Sequence, residues 1–156
     1  VTTDTIDQAI YQAMYAALES RLHLIGSVIT ADANRETIAQ NIRDKGDFYN
    51  ALGYVLTPLK DGFTLNVGSN VAHEPYVLGG KVPSWTPIAP LISWVQRKNL
   101  SWTDKDGNKL SIETMAYMIR AKIKREGIAP RNIFETIIKN REAWIYSQLD
   151  SLEVTL

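Results

Sequence analysis

Cysteine is missing from all 156 residues of the chain. That excludes disulfide scaffolds, thiolate metal sites and cysteine nucleophiles, and it suits a bacterial or viral protein assembled in a reducing cytoplasm better than a small secreted one. Histidine is scarce, with only His23 and His73, too few to ligate a structural zinc. Neither sign of charge is in excess, because seventeen Lys and Arg balance seventeen Asp and Glu. This removes the bulk attraction expected of a general nucleic-acid or anionic-membrane binder, while leaving local patches open. No apolar run approaches the roughly 18 residues of a membrane span. The opening Val1-Thr2-Thr3-Asp4 has neither the basic nor the apolar region of an export signal. Internal repeats and low-complexity tracts are lacking as well. What remains, 45% apolar and 22% charged residues, is the composition of a soluble globular chain, expected to form a single domain over residues 1–156.

Catalytic signatures are equally sparse. His73-Glu74 opens like the zinc motif H-E-x-x-H, but Val77 takes the place of the second histidine and Pro75 breaks the helix that would present both ligands. His23 sits within a helical apolar pattern and reads as a packed or surface histidine. Gly79-Gly80-Lys81 has the flavour of a phosphate loop without its spaced first glycine or the Ser or Thr after lysine, since residue 82 is Val. Asp104-Lys105-Asp106-Gly107-Asn108 starts like an EF-hand calcium loop, yet its sixth position is Lys109 and its twelfth Met115. Asp, Gly and Asn are what a tight turn requires in any case. No nucleophile elbow is present, and the carboxylates are scattered without an obvious acid–base pair. The residues therefore point away from an enzyme and name no catalytic, metal-binding or cofactor-binding side chain.

The hydrophobic periods predict an α+β fold: a long N-terminal helix and a small antiparallel sheet of about three strands plus a hairpin, packed by several helices. Residues 1–46 form the helical N-terminal region. There Ile6, Ile10, Ala13 and Ala17 make one stripe, and Tyr11, Tyr15, Leu18, Leu22, Ile25 and Ile29 make a second at heptad spacing. An apolar arc this wide needs cover on more than one side, either from its own core or from a neighbouring subunit. Asp32-Ala33-Asn34 interrupts the pattern, and Asn34 with Thr37 opens a second short helix ending near Gly46. Residues 47–80 hold the sheet: a strand from Tyr49 to Leu56, a turn at Lys60-Asp61-Gly62, a partner alternating through Phe63, Leu65 and Val67, and a third strand at Tyr76-Val77. Residues 81–156 supply a loop, a helix after Pro87 with Ile88, Leu91, Ile92 and Val95 inward, and a hairpin over Trp102 to Leu110. A helix capped by Ser111 and stopped by Gly127 follows, and the last helix carries Phe134, Ile137, Ile138, Ile145, Leu149 and Leu152 inward, with Lys139, Arg141 and Glu142 mostly outward.

Two clusters stand out as contact candidates. Between Tyr76 and Pro87, a glycine pair, prolines and Trp85 describe a conformationally fixed loop carrying large aromatic area into a helix. With no acid, base, nucleophile or metal ligand in its working part, this loop suggests contact rather than chemistry. Tyr76, Pro83, Trp85 and Pro87 of this loop, together with Trp102 beyond it, are the candidate subunit-interface residues. The second cluster is basic: Lys122, Lys124 and Arg125, with Arg120 a turn earlier and Arg131 beyond. It is a solvated helix face by default, and a phosphate-contacting patch along a DNA channel if repeated around a ring.

The order of these features resembles the neck or tail-completion family of tailed bacteriophages. The residues that carry the resemblance run from Asn66-Val67-Gly68-Ser69-Asn70 through Pro75-Tyr76-Val77 and a glycine-containing loop. They continue with Pro87-Ile88 leading a helix with Trp94 and Arg97-Lys98, and then Ala116 to Arg125 with Glu126-Gly127-Ile128-Ala129-Pro130-Arg131-Asn132-Ile133-Phe134. The family shows a V-G-x-x-x-x-Y-x-x-Y-V-E-x-G-like core, a P-I-x-x-W-x-x-x-K helix and an A-x-x-I-x-x-x-I-x-x-x-G-x-x-P-R-x-F ending. The match spans roughly residues 63 to 138; Leu78 stands where the family has an acid, and Gly79-Gly80 where it has Gly-Thr. The resemblance implies a non-enzymatic virion protein without cofactor, assembled in the bacterial host cytoplasm into an oligomeric ring at the head–tail junction. Its partners would be copies of itself and neighbouring neck, connector and tail proteins, with a passing contact to packaged DNA left open and no membrane or small-molecule ligand. Alternatives are a tail terminator ring subunit, or a small DNA-binding module using the Lys122 to Arg131 patch.

Overall fold

A computed structural model describes residues 3–42, 47–70 and 78–153 of the chain. Its elements are α1 (Thr3–Ala39), a single turn α2 (Asp47–Asn50), strands β1 (Leu52–Leu59) and β2 (Gly62–Ser69), then α3 (Ile88–Arg97), α4 (Ile112–Glu126) and α5 (Ile133–Asp150). The fold is α+β with a long N-terminal helix. Among the described residues the sheet has two strands rather than three, and the expected third strand at Tyr76-Val77 lies outside them.

Helix α1 runs through Asp32-Ala33-Asn34 without a break, which corrects the expected helix start at Asn34. Asp32 and Asn34 are weak helix formers and Ala33 a strong one, but none is the proline or glycine that would stop a helix, and tertiary contacts override the weak preference of the two polar residues. Ala33 is fully buried. Asp32 accepts a hydrogen bond from the Arg141 Nε of α5 at 2.6 Å, and Thr37 closes its hydroxyl onto the Ala33 carbonyl at 2.7 Å instead of capping a new helix. Arg141 thus spends its charge on α1, a finer outcome than the outward placement its position suggested.

β1 starts at Leu52, three residues later than expected, because Tyr49 belongs to the α2 turn. A two-residue turn, Lys60-Asp61, joins it to β2 in a register pairing Tyr54 with Val67, Leu56 with Leu65 and Pro58 with Phe63. Period-two alternation turns those residues toward α1 and leaves Val55, Thr57, Thr64 and Asn66 outside. Gly26 makes this packing possible: a Cβ there would lie 2.6 Å from the Tyr54 ring and 3.0 Å from Leu65. The hairpin seats on α1 only because the helix has no side chain at that point.

Two hydrophobic clusters result, with no residue in common. The first joins Ile25, Ile29 and Ala33 of α1, Phe48 of α2, and Ile133 and Ile137 of α5, flanked by Leu65 and Val67 of β2. The second lies between α3 and α4, where Val95, Met115 and Ala116 are buried among Leu91, Ile92, Ile112 and Ile119. Ser111 caps α4 by accepting the Thr114 N–H at 3.1 Å, and Gly127 ends it, both as the sequence indicates. Before α4, Trp102 to Leu110 closes on one antiparallel bridge, Thr103 to Lys109, around an Asx turn. There the Asp104 carboxylate accepts the backbone N–H groups of Asp106 and Asn108 at 2.9 and 2.8 Å. That oxygen serves the turn itself.

The α3–α4 pair is carried on a short two-stranded stalk. Lys81 and Ile128 exchange backbone hydrogen bonds at 2.9 and 2.7 Å, and the Arg131 N–H reaches the Leu78 carbonyl at 3.0 Å. Gly80 (φ +71°) and Gly127 (φ +74°) face this crossing. A Cβ on Gly80 would strike the Ile128 carbonyl, and one on Gly127 the Lys81 carbonyl, so the two segments meet this closely only as glycines. Of the glycine pair that looked faintly like a phosphate loop, Gly80 has this structural task, while Gly79 faces open space.

The molecule is rich in surface. Its 10653 Å² of accessible area compares with about 7,900 Å² for a compact monomer of its mass. Part of the surplus is apolar: Ile6, Tyr11 and Met14 on the first half of α1 are about half exposed, and Val82 and Trp85 more so.

Candidate interaction surface

Trp85 lies in an extended segment between the stalk and α3. Its neighbours Ser84 and Thr86 turn inward with buried hydroxyl oxygens, so the alternation sends Trp85 outward, where it is 62% exposed. From α4, the Arg120 guanidinium lies 4.3 Å from the Trp85 ring centroid and the Lys124 ammonium 5.4 Å from it. Arg120 also stands 4.7 Å from the Tyr117 ring. Residues 117, 120 and 124 share one helix face at spacings of three and four, so their positions follow from α4 being helical. Each cation–π contact at an exposed site contributes about 0.5–1 kcal/mol, enough to hold the indole flat without burying it. The product is a preorganised shelf of two aromatic rings interleaved with two cations.

The remaining bases of the cluster are engaged differently. Arg125 donates through Nε to the Glu126 carboxylate at 3.0 Å, and Lys122 lies 4.0 Å from the same group. The Arg125 hydrogen bond, ahead of the charges of Arg125 and Lys122, holds the Glu126 carboxyl below its ordinary range. The basic run therefore divides into Arg120 and Lys124 on the shelf, and Lys122 and Arg125 gathered around Glu126. Arg131 is exposed at the foot of the stalk.

Of the expected interface residues, Tyr76 lies outside the described residues. Pro83 is exposed on the stalk, and Pro87 is the N-cap residue of α3 with extended backbone (ψ 142°). Trp102, 37% exposed, belongs to another element, at the base of the Asp104 turn, where its carbonyl accepts the Leu110 N–H. The geometry thus unites Trp85 with Arg120 and Lys124, which the sequence had placed in separate clusters, and adds Tyr117. The signal for Tyr117 was its spacing from Arg120 and Lys124 on α4, but nothing local pointed to Trp85 as the residue they cover.

Compared with models of protein families, with characterised proteins and with solved structures, this chain finds no match.

A second surface was not foreseen as a unit. Tyr11, Met14, Tyr15 and Leu18 of α1 form a groove of about 300 Å³ with Gly62 of the hairpin and Leu152 beyond α5. The Tyr15 ring packs tilted against Phe63 with centroids 4.3 Å apart, and the Tyr11 hydroxyl donates to the Lys60 carbonyl at 3.2 Å. Burial, then Tyr11 and Glu19, raises the Tyr15 phenol above its ordinary range. The heptad seam is thus covered by the hairpin over part of its length and left half exposed at its start, at Tyr11. His23, whose Nδ1 lies 3.1 Å from the Tyr54 hydroxyl, is an exposed partner of the hairpin.

Among the described residues, no group of three or more His, Cys, Asp or Glu side chains converges as metal ligands would. No described helix is long and apolar enough to cross a membrane.

Proposed function

We propose that the chain is a structural, non-enzymatic subunit of a tailed-bacteriophage virion, a neck or tail-completion protein that oligomerises into a ring at the head–tail junction. The observation that carries this reading is the combination of surplus surface with a fixed, exposed Trp85. A ring subunit must cover two patches, one per neighbour, and a standard interface takes about 800 Å² from each partner. The area by which the chain exceeds a compact monomer is more than two such patches need. Aromatic and arginine side chains are the residue types that dominate interface energetics, and Trp85 with Arg120 supplies both. The ordered motifs between residues 63 and 138 give the reading its viral context. A tail terminator ring would use the same features. The DNA-binding alternative is weaker, because Glu126 draws on Lys122 and Arg125, two of the exposed bases of the patch.

Electron microscopy of the purified protein should display rings of uniform subunit number. In a phage carrying the gene, Trp85→Ala should lower infectious yield at least tenfold while leaving heads and tails that fail to join. A protein that stays monomeric at high concentration, or an unchanged yield, would overturn the proposal.

A further inference from the structure

The zero net charge of the chain conceals a segregation. Residues 1–20 contain three acids and no lysine or arginine, whereas residues 120–131 contain five bases and one acid. The acidic stretch is the half of α1 that carries the open groove. Asp7 is one turn before Tyr11 and Glu19 one turn after Tyr15, while Asp61 lines the groove from the hairpin beside Lys60; Arg21, one turn after Leu18, is held by Gln148 of α5 at 2.8 Å. The basic stretch holds the shelf, with Trp85 between Arg120 and Lys124. One surface is thus an apolar depression with an acidic rim, and the other an aromatic projection flanked by cations. The two lie on different elements of the same chain.

We propose that the subunit associates head to tail: the Trp85–Arg120–Lys124 shelf of one copy seats in the α1–hairpin groove of the next, its cations against Asp7, Glu19 and Asp61. The occupant of the groove is a second copy because the complement in shape class and charge is already present on the same chain, and because the surplus surface exceeds what two patches require. An interface between two different patches is heterologous, so it closes into a ring or grows as a filament, whereas a self-complementary patch stops at a dimer. The inference rests on the ring reading above and specifies its contact.

The experiment is a concentration series by sedimentation velocity at low and high salt, with two variants. The shelf variant is Trp85→Ala with Lys124→Glu; the groove variant is Asp7→Lys with Met14→Lys, at exposed positions of α1. Each variant alone should remain monomeric, its self-association weakened at least about 30-fold, as loss of an interface hot spot implies. Mixed together they should form a 1:1 dimer and nothing larger, since one intact shelf then meets one intact groove. Wild-type assembly should weaken with salt, because the paired charges are exposed. Should the double shelf change cost the fold, as judged by circular dichroism, Lys124→Glu alone carries the same test. Wild-type rings that persist in both variants would overturn this contact while leaving the ring reading intact. Two monomeric variants that ignore each other would overturn the head-to-tail pairing. A wild-type protein monomeric throughout would overturn both.

Discussion

Gly127 closes α4 with φ +74° and ψ −157°, a region reserved almost wholly for glycine, where any other residue costs about 1–3 kcal/mol. Its missing side chain also makes room for the Lys81 carbonyl across the stalk. Gly107 provides the control, because it too has positive φ (+83°) but faces open space. Gly127→Ala should therefore destabilise the protein by about 1–3 kcal/mol from backbone strain and further from the collision. Gly107→Ala should cost about 1–2 kcal/mol from strain alone. Urea midpoints of the two variants decide this: equal losses would mean that the stalk crossing contributes nothing. Asp32 makes a second residue-scale case. The Arg141 hydrogen bond, aided by the charges of Arg141 and Arg35, holds its carboxyl below the ordinary range against the opposing effect of burial. A carboxyl depressed in the folded state stabilises it fully above its unfolded value of about 3.9, and that contribution disappears as pH falls through the lower folded value. Asp32→Asn should thus be less stable than wild type at pH 7, with the difference shrinking below pH 4. Thermal melts across pH 2–7 would show it, and a difference independent of pH would assign the loss to packing instead. Neither partner was legible as such. Asp32 looked like the end of a helix, and Arg141 like a solvated base, because a pair 109 positions apart leaves no local trace.

At the scale of elements, the strongly periodic helices and the hairpin were legible because each follows from a local pattern: Ser111 and Gly127 bracket α4, and Phe63, Leu65 and Val67 alternate. What the sequence misplaced depended on distant partners. Ala33 and Thr37 continue α1 because α5 and α2 complete the core around that stretch, and Tyr49 enters the α2 turn rather than β1. The seam of α1 posed the sharper question of who covers it, and the answer changes along the helix. Ile25 and Ile29 are buried by the protein's own core, while Tyr11 at the start of the seam is half exposed, as are Ile6 and Met14 on the same half of the helix. Ile29→Ala should cost about 2–5 kcal/mol, as cavity-forming core changes do, whereas Ile6→Ala should leave the stability of the monomer within about 0.5 kcal/mol. Amide exchange follows the same division. In dilute monomer, residues 24–37 should exchange only on global opening and residues 6–14 by local fraying, with the latter becoming protected under assembling conditions. Uniform protection along α1 in the monomer would show that the first half needs no further cover.

Across the whole molecule, the separation of the two hydrophobic clusters matters more than either cluster alone. A domain unfolds as one unit when its elements share buried contacts, so that losing one exposes the others. Here α1, α2, the hairpin and α5 share one set of contacts, and α3 and α4 another. Among the described residues, the stalk that joins them is closed by three backbone hydrogen bonds, and the Lys98 ammonium donates to the Asn41 side chain at 3.3 Å. A typical hydrogen bond contributes only about 0.5–1.5 kcal/mol net, less than the cost of emptying a well-packed core position. Met115→Ala, at a site 2% exposed between α3 and α4, should therefore cost about 2–5 kcal/mol that falls mainly on its own unit. Exchange of α3 and α4 amides should accelerate while Ile25 to Thr37 keep their protection, and Ile29→Ala should do the converse. Should both variants accelerate exchange equally everywhere, the stalk would be coupling the units into one cooperative body. The expected independence bears on assembly, because a shelf carried by a separately stable helical pair can meet a neighbour's groove without disturbing the core that positions its own.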